Sequence, residues 1–94
     1  MVIENFGNLN TEQIYKGLRV RKSPRDIQEH ARRKLRMINQ ARVTQDLLVP
    51  PGNCLEKISG NLEGFWGIRI NQQWRIIFRW EDGLKYEVEI IDYH

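Results

Sequence analysis

Residues 65–91 have the sequence FWGIRINQQWRIIFRWEDGLKYEVEII, and this stretch decides the fold. β-Branched and aromatic residues, which favour strands, are concentrated in three runs, at residues 65–70, 74–80 and 84–91. Two short polar segments separate the runs, Asn71-Gln72-Gln73 and Glu81-Asp82-Gly83. Segments of this length join neighbouring antiparallel strands as hairpins. The stretch therefore predicts a three-stranded antiparallel meander.

The middle run predicts a sheet with one apolar and one charged face, because successive strand residues point to opposite sides. One side receives Trp74, Ile76, Phe78 and Trp80, and the other receives Arg75, Ile77 and Arg79. The same alternation in the last run places Tyr86, Val88 and Ile90 on one side and Lys85, Glu87 and Glu89 on the other. The apolar face needs a cover, which the residues before the meander have to supply.

A long helix is predicted to begin at Ser23-Pro24-Arg25-Asp26. Ser is a favoured N-cap, Pro fits the first helical position, and the helix dipole stabilises Asp in the first turn. The helix continues to about Ala41, because an apolar stripe recurs at helical spacing, formed by Ile27, Ala31, Leu35 and Ile38. A shorter helix is predicted over residues 11–16, with Asn10 as its cap and Gly17 at its end.

The remaining segments complete an α+β order. Residues 1–6 predict a short N-terminal strand, residues 44–53 a connection that contains two prolines, and residues 54–58 a further strand. Ninety-four residues suffice for one core, so we expect a single domain over residues 1–94. The expected fold is a short strand, two helices and a twisted antiparallel meander, with the helices on one face.

Composition excludes several classes of protein. With 40% hydrophobic and 29% charged residues, the chain resembles globular proteins, and no apolar run approaches the roughly 20 residues of a membrane helix. The first residues lack the pattern of a secretory signal, so we expect a cytoplasmic protein without a membrane partner. Cys54 is the only cysteine and is expected to pack as a small apolar side chain. With only His30 and His94 as histidines, the sequence predicts no metal and no cofactor.

Basic residues are concentrated in the first half of the chain. Residues 1–43 contain ten Lys or Arg against four Asp or Glu, whereas residues 44–94 contain five against eight. In the long helix, Arg25, Arg32 and Arg36 fall on the side away from the apolar stripe. This surface suits a polyanion or an acidic protein partner, although a solvated helix face has the same composition.

Two further sets of side chains are candidates for chemistry. Arg75 and Arg79 share the charged sheet face, where strand arginines are commonly solvated or paired with acidic neighbours such as Glu87 and Glu89. The sequence Asp92-Tyr93-His94 follows an apolar strand and combines a carboxylate, a phenol hydroxyl and an imidazole. Such groups transfer protons in many active sites.

Three stretches, in order, resemble one protein family: LVPPGNCLE at residues 48–56, GNLEGFWGIRINQQWRIIF at residues 60–78 and VEIIDYH at residues 88–94. They are similar to the HigB-type "killer protein" toxins of bacterial type II toxin–antitoxin modules, in the RelE/ParE superfamily. The similarity spans nearly the whole chain, and the predicted order of strand, helices and meander agrees with the RelE/ParE-like fold.

The resemblance implies a ribosome-dependent endoribonuclease that needs no metal, cleaves mRNA in the decoding site and inhibits translation and growth. It also implies neutralisation by a HigA-like helix-turn-helix antitoxin, with operator DNA contacted only through that antitoxin. In metal-free RNA cleavage the ribose 2′-OH attacks the adjacent phosphate. This reaction requires a base, an acid for the 5′ oxygen and a cation for the developing charge.

Residues of this chain match each of these roles. Arg75 fits the cation, because guanidinium binds phosphate through two hydrogen bonds and stays charged. His94 fits proton transfer, and a terminal carboxylate beside it would favour the imidazolium form. Asp92 is either the base or the group that orients His94. Tyr93 either stacks on a nucleobase or shares in proton transfer.

The resemblance also implies a wider binding surface. Glu56 stands near a position at which some relatives carry a histidine, so it is either a replacement base or a charge on the strand surface. The residues expected to contact RNA and the ribosome are Arg25, Arg32, Arg36, Arg69 and Arg79.

Two other functions remain as alternatives. One is a ParE-like gyrase poison without nuclease activity, and the other is a weakened toxin that acts mainly as a transcriptional corepressor with its antitoxin. The Asp92-Tyr93-His94 sequence favours the ribonuclease, because inhibition of gyrase needs no set of acid and base groups. The fold alone does not distinguish these functions.

Overall fold

The computed structural model describes residues 3–21, 24–58 and 64–92. Two helices come first, α1 at Leu9–Tyr15 and α2 at Arg25–Gln40. Four strands follow, β1 at Glu56–Lys57, β2 at Phe65–Arg69, β3 at Trp74–Glu81 and β4 at Leu84–Asp92. The strands form one sheet in the order β1-β2-β3-β4, and each neighbouring pair is antiparallel. The predicted α+β fold is confirmed.

The apolar side of β3 builds the core. Ile76 and Phe78 are fully buried in one cluster with the stripe of α2, while Trp74 and Trp80 pack at its margin. The stripe is buried as predicted, and it comprises Ile27, Ala31, Leu35 and Ile38. The helices therefore cover one face of the sheet. We call the other side the open face, which carries Glu56, Arg69, Arg75, Ile77 and Arg79 according to strand register.

Strand β4 contains a β-bulge that the sequence did not reveal. Glu87 has a φ of 54°, and the register shifts between the partners of Ile77 and Arg79. A bulge adds one residue to a strand, so the alternation of side chains reverses across it. Consequently Lys85 pairs with Trp80 and Tyr86 pairs with Arg79. The prediction that Lys85 lies on the charged face and Tyr86 on the apolar face was wrong.

Lys85 fastens β4 to the end of α2. The side chain is fully buried, and its Nζ donates to the backbone oxygens of Asn39, at 3.3 Å, and Ala41. These carbonyls belong to the C-terminal end of the helix, which attracts cations because its last carbonyls lack helical partners. The Nζ also lies 4.9 Å from the centre of a Trp80 ring. Burial lowers the pKa of Lys85.

The segment before β1 is held by buried polar groups. It forms two short 3₁₀ helices, Thr44–Leu48 and Pro51–Asn53, where the sequence predicted a connection. Asn53 is fully buried, and its Nδ2 donates to the backbone oxygen of Leu47 at 3.1 Å, while Lys34 donates to its Oδ1. Cys54 follows in a left-handed conformation with a φ of 48° and is exposed, so its predicted packing role was wrong. The predicted strand at 54–58 is reduced to β1.

Other boundaries differ from the predictions by a few residues. In the described part of the strand predicted at residues 1–6, Ile3 and Phe6 form isolated parallel bridges to β4, and Met1 and Val2 lie outside the described residues. Helix α1 is capped by Asn8, whose Oδ1 accepts a hydrogen bond from the Thr11 N–H at 2.9 Å, and not by Asn10. Pro24 occupies the N-cap position of α2, and Ser23 lies outside the described residues. Neither helix of the described chain is long and apolar enough to cross a membrane.

Replacing Lys85 by alanine is expected to destabilise the protein by about 2–4 kcal/mol, because two buried carbonyls lose their donor and a cavity opens beside Trp80. Denaturation by urea measures the loss. Lys16→Ala is the control, since Lys16 is exposed in an ion pair with Glu12 and should cost less than about 0.5 kcal/mol. Equal losses for the two variants would show that Lys85 does not hold the helix end.

Candidate active site on the open face

Arg75 and Glu56 form an ion pair at the centre of the open face. The Nη1 of Arg75 donates to the Oε1 of Glu56 at 2.7 Å. The Arg75 side chain is only 12% exposed, whereas that of Glu56 is 41% exposed. The sequence predicted a solvated Arg75 or a pair with Glu87 or Glu89, yet the guanidinium reaches a different strand. Its position is therefore fixed by the fold, which is a requirement for a group that binds a reacting phosphate.

Gly67 lies on β2 between the strands that carry the two charged side chains. Strand register aligns Glu56 with Gly67 and Gly67 with Ile77, so β2 lies between the two charged side chains. The Arg75 guanidinium extends across β2 to reach Glu56. A Cβ at position 67 would lie 3.3 Å from the Cδ1 of Ile58, which shows how closely the neighbouring side chain already approaches.

Arg69 lies directly opposite Arg75 in the β2–β3 pair. Directly opposed residues have Cβ atoms about 4.5–5.5 Å apart, and like charges in this arrangement are destabilising. The Nε of Arg69 is buried and has no hydrogen-bond partner within the described ranges. Two arginines therefore occupy opposed positions in the sheet, and the carboxylate of Glu56 pairs with Arg75. Such an arrangement favours the binding of an anion between the strands.

Arg79 occupies the far end of the open face. Its Nη2 lies 3.4 Å from the Oε2 of Glu87, and its guanidinium carbon lies 5.6 Å from the centre of the Tyr86 ring. Of the alternatives that the sequence left open, solvation or a pair with Glu87 or Glu89, the structure shows the pair with Glu87. The side chain is 40% exposed, and it is two residues beyond Ile77 on β3, so Arg79 lies at the edge of the candidate site.

Asp92 ends β4 at the same end of the sheet as Arg75. It pairs with Trp74, and its exposed Oδ2 accepts a hydrogen bond from the Nε2 of Gln73 at 3.2 Å. Because side chains alternate along a strand, the Asp92 side chain projects from the same face of the sheet as that of Trp74, whereas the Arg75 side chain projects from the open face. Tyr93 and His94 lie outside the described residues, so their roles stay predictions. The contact from Gln73 was not predicted, since it joins side chains far apart in sequence.

Comparison with known proteins shows the family of this chain. A family model described as the RelE-like toxin HigB of type II toxin–antitoxin systems matches residues 4–94. The chain belongs to the HigB-like toxin family. Toxin HigB-1 of Vibrio cholerae serotype O1 is 43% identical over 74 residues, which is 78% of either chain. An uncharacterized protein of Haemophilus influenzae is 34% identical over 61 residues, 65% of this chain and 60% of that protein.

Membership of the HigB-like family confirms the resemblance found in the three sequence stretches. It identifies the chain as the toxin of a type II toxin–antitoxin module and implies an antitoxin as its partner. The predicted order of helices and meander is consistent with the RelE-like fold of this family.

The basic surface of this HigB-family toxin lies on the helical side of the sheet. Arg25 and Arg36 are exposed on α2, as predicted. Arg32 is half-buried, and its Nε donates to the backbone oxygen of Ile14 at 2.8 Å, so it joins α1 to α2. The prediction that all three arginines are free on the surface was therefore wrong for Arg32.

Two arginines that the sequence analysis did not select extend this surface. Arg19 and Arg21 are exposed on either side of buried Val20 and border a groove with Arg25. Gln28 holds this connector in place, because its Oε1 accepts from the Val20 N–H at 3.0 Å and its Nε2 donates to the Val20 oxygen at 2.6 Å. The cations around α2 are thus presented by a fixed backbone.

Replacing Arg69 by glutamine is expected to stabilise the protein by about 0.2–1 kcal/mol, because it removes a like charge opposite Arg75. The gain should shrink in high salt, which screens the repulsion. Urea denaturation at two salt concentrations measures both effects. Arg79→Gln is the matched control and should not stabilise, since it loses the contacts with Glu87 and Tyr86. A less stable Arg69→Gln protein would show that the two arginines do not repel each other.

Proposed function

We propose that this toxin is a ribosome-dependent endoribonuclease that cleaves mRNA in the decoding site without a metal cofactor and thereby inhibits translation and growth. The observation that carries the proposal is the fixed position of Arg75, 2.7 Å from Glu56 and opposite Arg69 in the sheet. A preorganised guanidinium pair stabilises the charge that develops on a phosphate during RNA cleavage.

The proposed reaction uses the RNA as its own nucleophile. The 2′-oxygen forms a bond to the adjacent phosphorus while the bond from phosphorus to the 5′-oxygen breaks. A base takes the proton of the 2′-OH, and an acid gives a proton to the leaving 5′-oxygen. Arg75 binds a non-bridging phosphate oxygen, with Arg69 as a second contact, and the two stabilise the pentacoordinate state.

Acid and base are proposed to come from the end of β4. His94 serves as the acid because imidazole titrates near neutral pH. Asp92 serves as the base or orients His94, and Tyr93 stacks on a nucleobase or shares in proton transfer. Glu56 is a second candidate for the base, because its carboxylate accepts a hydrogen bond from Arg75, the proposed phosphate-binding group. If Glu56 is not the base, its role is that of a counter-ion that holds Arg75 in position.

We assign a different RNA partner to each of two surfaces of this toxin, the helical surface and the open face of the sheet. Ribosomal RNA would contact the exposed cations of α2, while mRNA would lie on the open face across the sheet. A HigA-like helix-turn-helix antitoxin is the proposed inhibitor, and it alone would contact operator DNA. Because ribosomes and mRNA are cytoplasmic, we expect the toxin to act in the cytoplasm. We also expect residues 1–94 to form a single domain.

Mapping of mRNA 5′ ends after induced expression tests the proposal. The parent protein should create new ends within coding regions, and the purified toxin should do so only when ribosomes are present. Arg75→Ala should lower the cleavage rate about 10²–10³-fold, as for other lost donors to a charged transition state. Arg42→Ala is the control, since Arg42 is exposed beyond α2. Growth arrest without new mRNA ends, accompanied by inhibited gyrase, would support the ParE-like alternative instead.

The role of the helical surface is tested by Arg25→Glu combined with Arg36→Glu. Both side chains are exposed, so the fold should remain while co-sedimentation with ribosomes weakens. Because each phosphate contact releases counterions, the salt dependence of binding should also become shallower. Arg42→Glu is the single-reversal control. Unchanged binding of the double variant at low and high salt would assign this surface to another partner.

A further inference from the structure

The hairpin between β2 and β3 has a closed and well-defined backbone. The Asn71 Oδ1 accepts hydrogen bonds from the N–H groups of Gln73 and Trp74, both at 2.8 Å. The N–H groups of Ile70 and Asn71 donate to the Trp74 oxygen at 2.9 and 3.2 Å. A side chain that accepts two backbone N–H groups fixes the turn in one conformation. The direction in which Gln73 leaves the hairpin is therefore determined.

From this turn the Gln73 side chain reaches a strand that the hairpin does not connect. Its Nε2 donates to the Oδ2 of Asp92 at 3.2 Å. Trp74, the next residue after Gln73, is also the register partner of Asp92. Backbone pairing thus brings the last residue of β4 beside the hairpin, and the amide then contacts its carboxylate. An amide orients a carboxylate without changing the charge of the site.

We propose that Gln73 is a positioning residue, which holds the Asp92 carboxylate at the end of β4 in its working orientation. This inference rests on the proposed function, in which Asp92 belongs to the proton-transfer set. The Asp92 side chain is exposed at the end of β4. A hydrogen bond from the adjacent rigid turn restrains its orientation. Asn71 contributes indirectly, because it shapes the turn that presents Gln73.

Positioning of a catalytic group and binding of RNA have different effects on the kinetics of cleavage. A residue that orients a proton-transfer group affects the rate of the bound complex, whereas a residue that binds RNA affects its affinity. Loss of the amide should therefore reduce kcat and leave KM nearly unchanged. Replacement by glutamate should be more harmful, because a second carboxylate would repel Asp92. The effect should be the same for every codon, since Gln73 acts through Asp92.

Steady-state cleavage of several ribosome-bound codons tests these expectations with Gln73→Ala and Gln73→Glu. We expect about a 10-fold lower kcat for Gln73→Ala, because small misplacements of a catalytic group are costly, and a larger loss for Gln73→Glu. Gln72→Ala is the matched control, since Gln72 is exposed in the same turn. An unchanged kcat would overturn the inference. A loss confined to KM or to particular codons would also overturn it, by showing that Gln73 contacts mRNA.

A second measurement separates this inference from the proposed function. The NMR chemical shift of the Asp92 carboxyl carbon reports its hydrogen bonding in the free protein, without any RNA. It should move in Gln73→Ala and stay in place in Gln72→Ala. If the parent protein cleaves no RNA, the proposed function fails, whereas the contact is still tested by this shift. An unmoved Asp92 signal in Gln73→Ala would overturn the positioning role whatever the activity.

Discussion

Burial of Ile76 and Phe78 against α2 directs the charged side chains of the sheet to the other face. Since strand residues alternate, a strand that places these two residues in the core must place Arg75 and Arg79 on the open face. A slip of one residue would bury two arginines and expose the core, so the register is strongly defined. The β2–β3 pairing then sets Arg69 opposite Arg75. The candidate site is thus a consequence of how the core is packed.

The same pairing creates an electrostatic conflict. Arg69 and Arg75 face each other, and Glu56 pairs with Arg75 from across the glycine of β2. The Nε of Arg69 is left buried without a partner among the described residues. An arrangement that costs stability is common where a ligand later supplies the missing interaction. In the proposed reaction a phosphate group would supply it, since it presents negative oxygens to both guanidinium groups.

Local sequence patterns predicted the helices and strands well. They could not predict contacts between residues that are far apart in the sequence. The stripe of α2 and the alternation of β3 are short-range signals, and both are confirmed. Glu87 has no sequence feature that marks a bulge, so Lys85 was assigned to the wrong face. The pair of Arg75 with Glu56 and the contact of Gln73 with Asp92 each join residues 19 positions apart. Such contacts depend on register, which emerges only when the strands are assembled.

The bulge in β4 determines which side chains of this strand reach the helices and which reach the open face. Before it, Lys85 points towards the helices, where its ammonium group binds the carbonyls at the end of α2. Tyr86 consequently points to the open face, where the centre of its ring lies 5.6 Å from the guanidinium carbon of Arg79. Regular pairing continued from Glu89 would instead place Tyr86 opposite Trp80, on the side of the helices, and Lys85 opposite Glu81 on the open face. The tyrosine would supply a single hydroxyl to the carbonyls at the end of α2, and the ammonium group of Lys85 would no longer reach them. One inserted residue therefore both anchors α2 and completes the charged face.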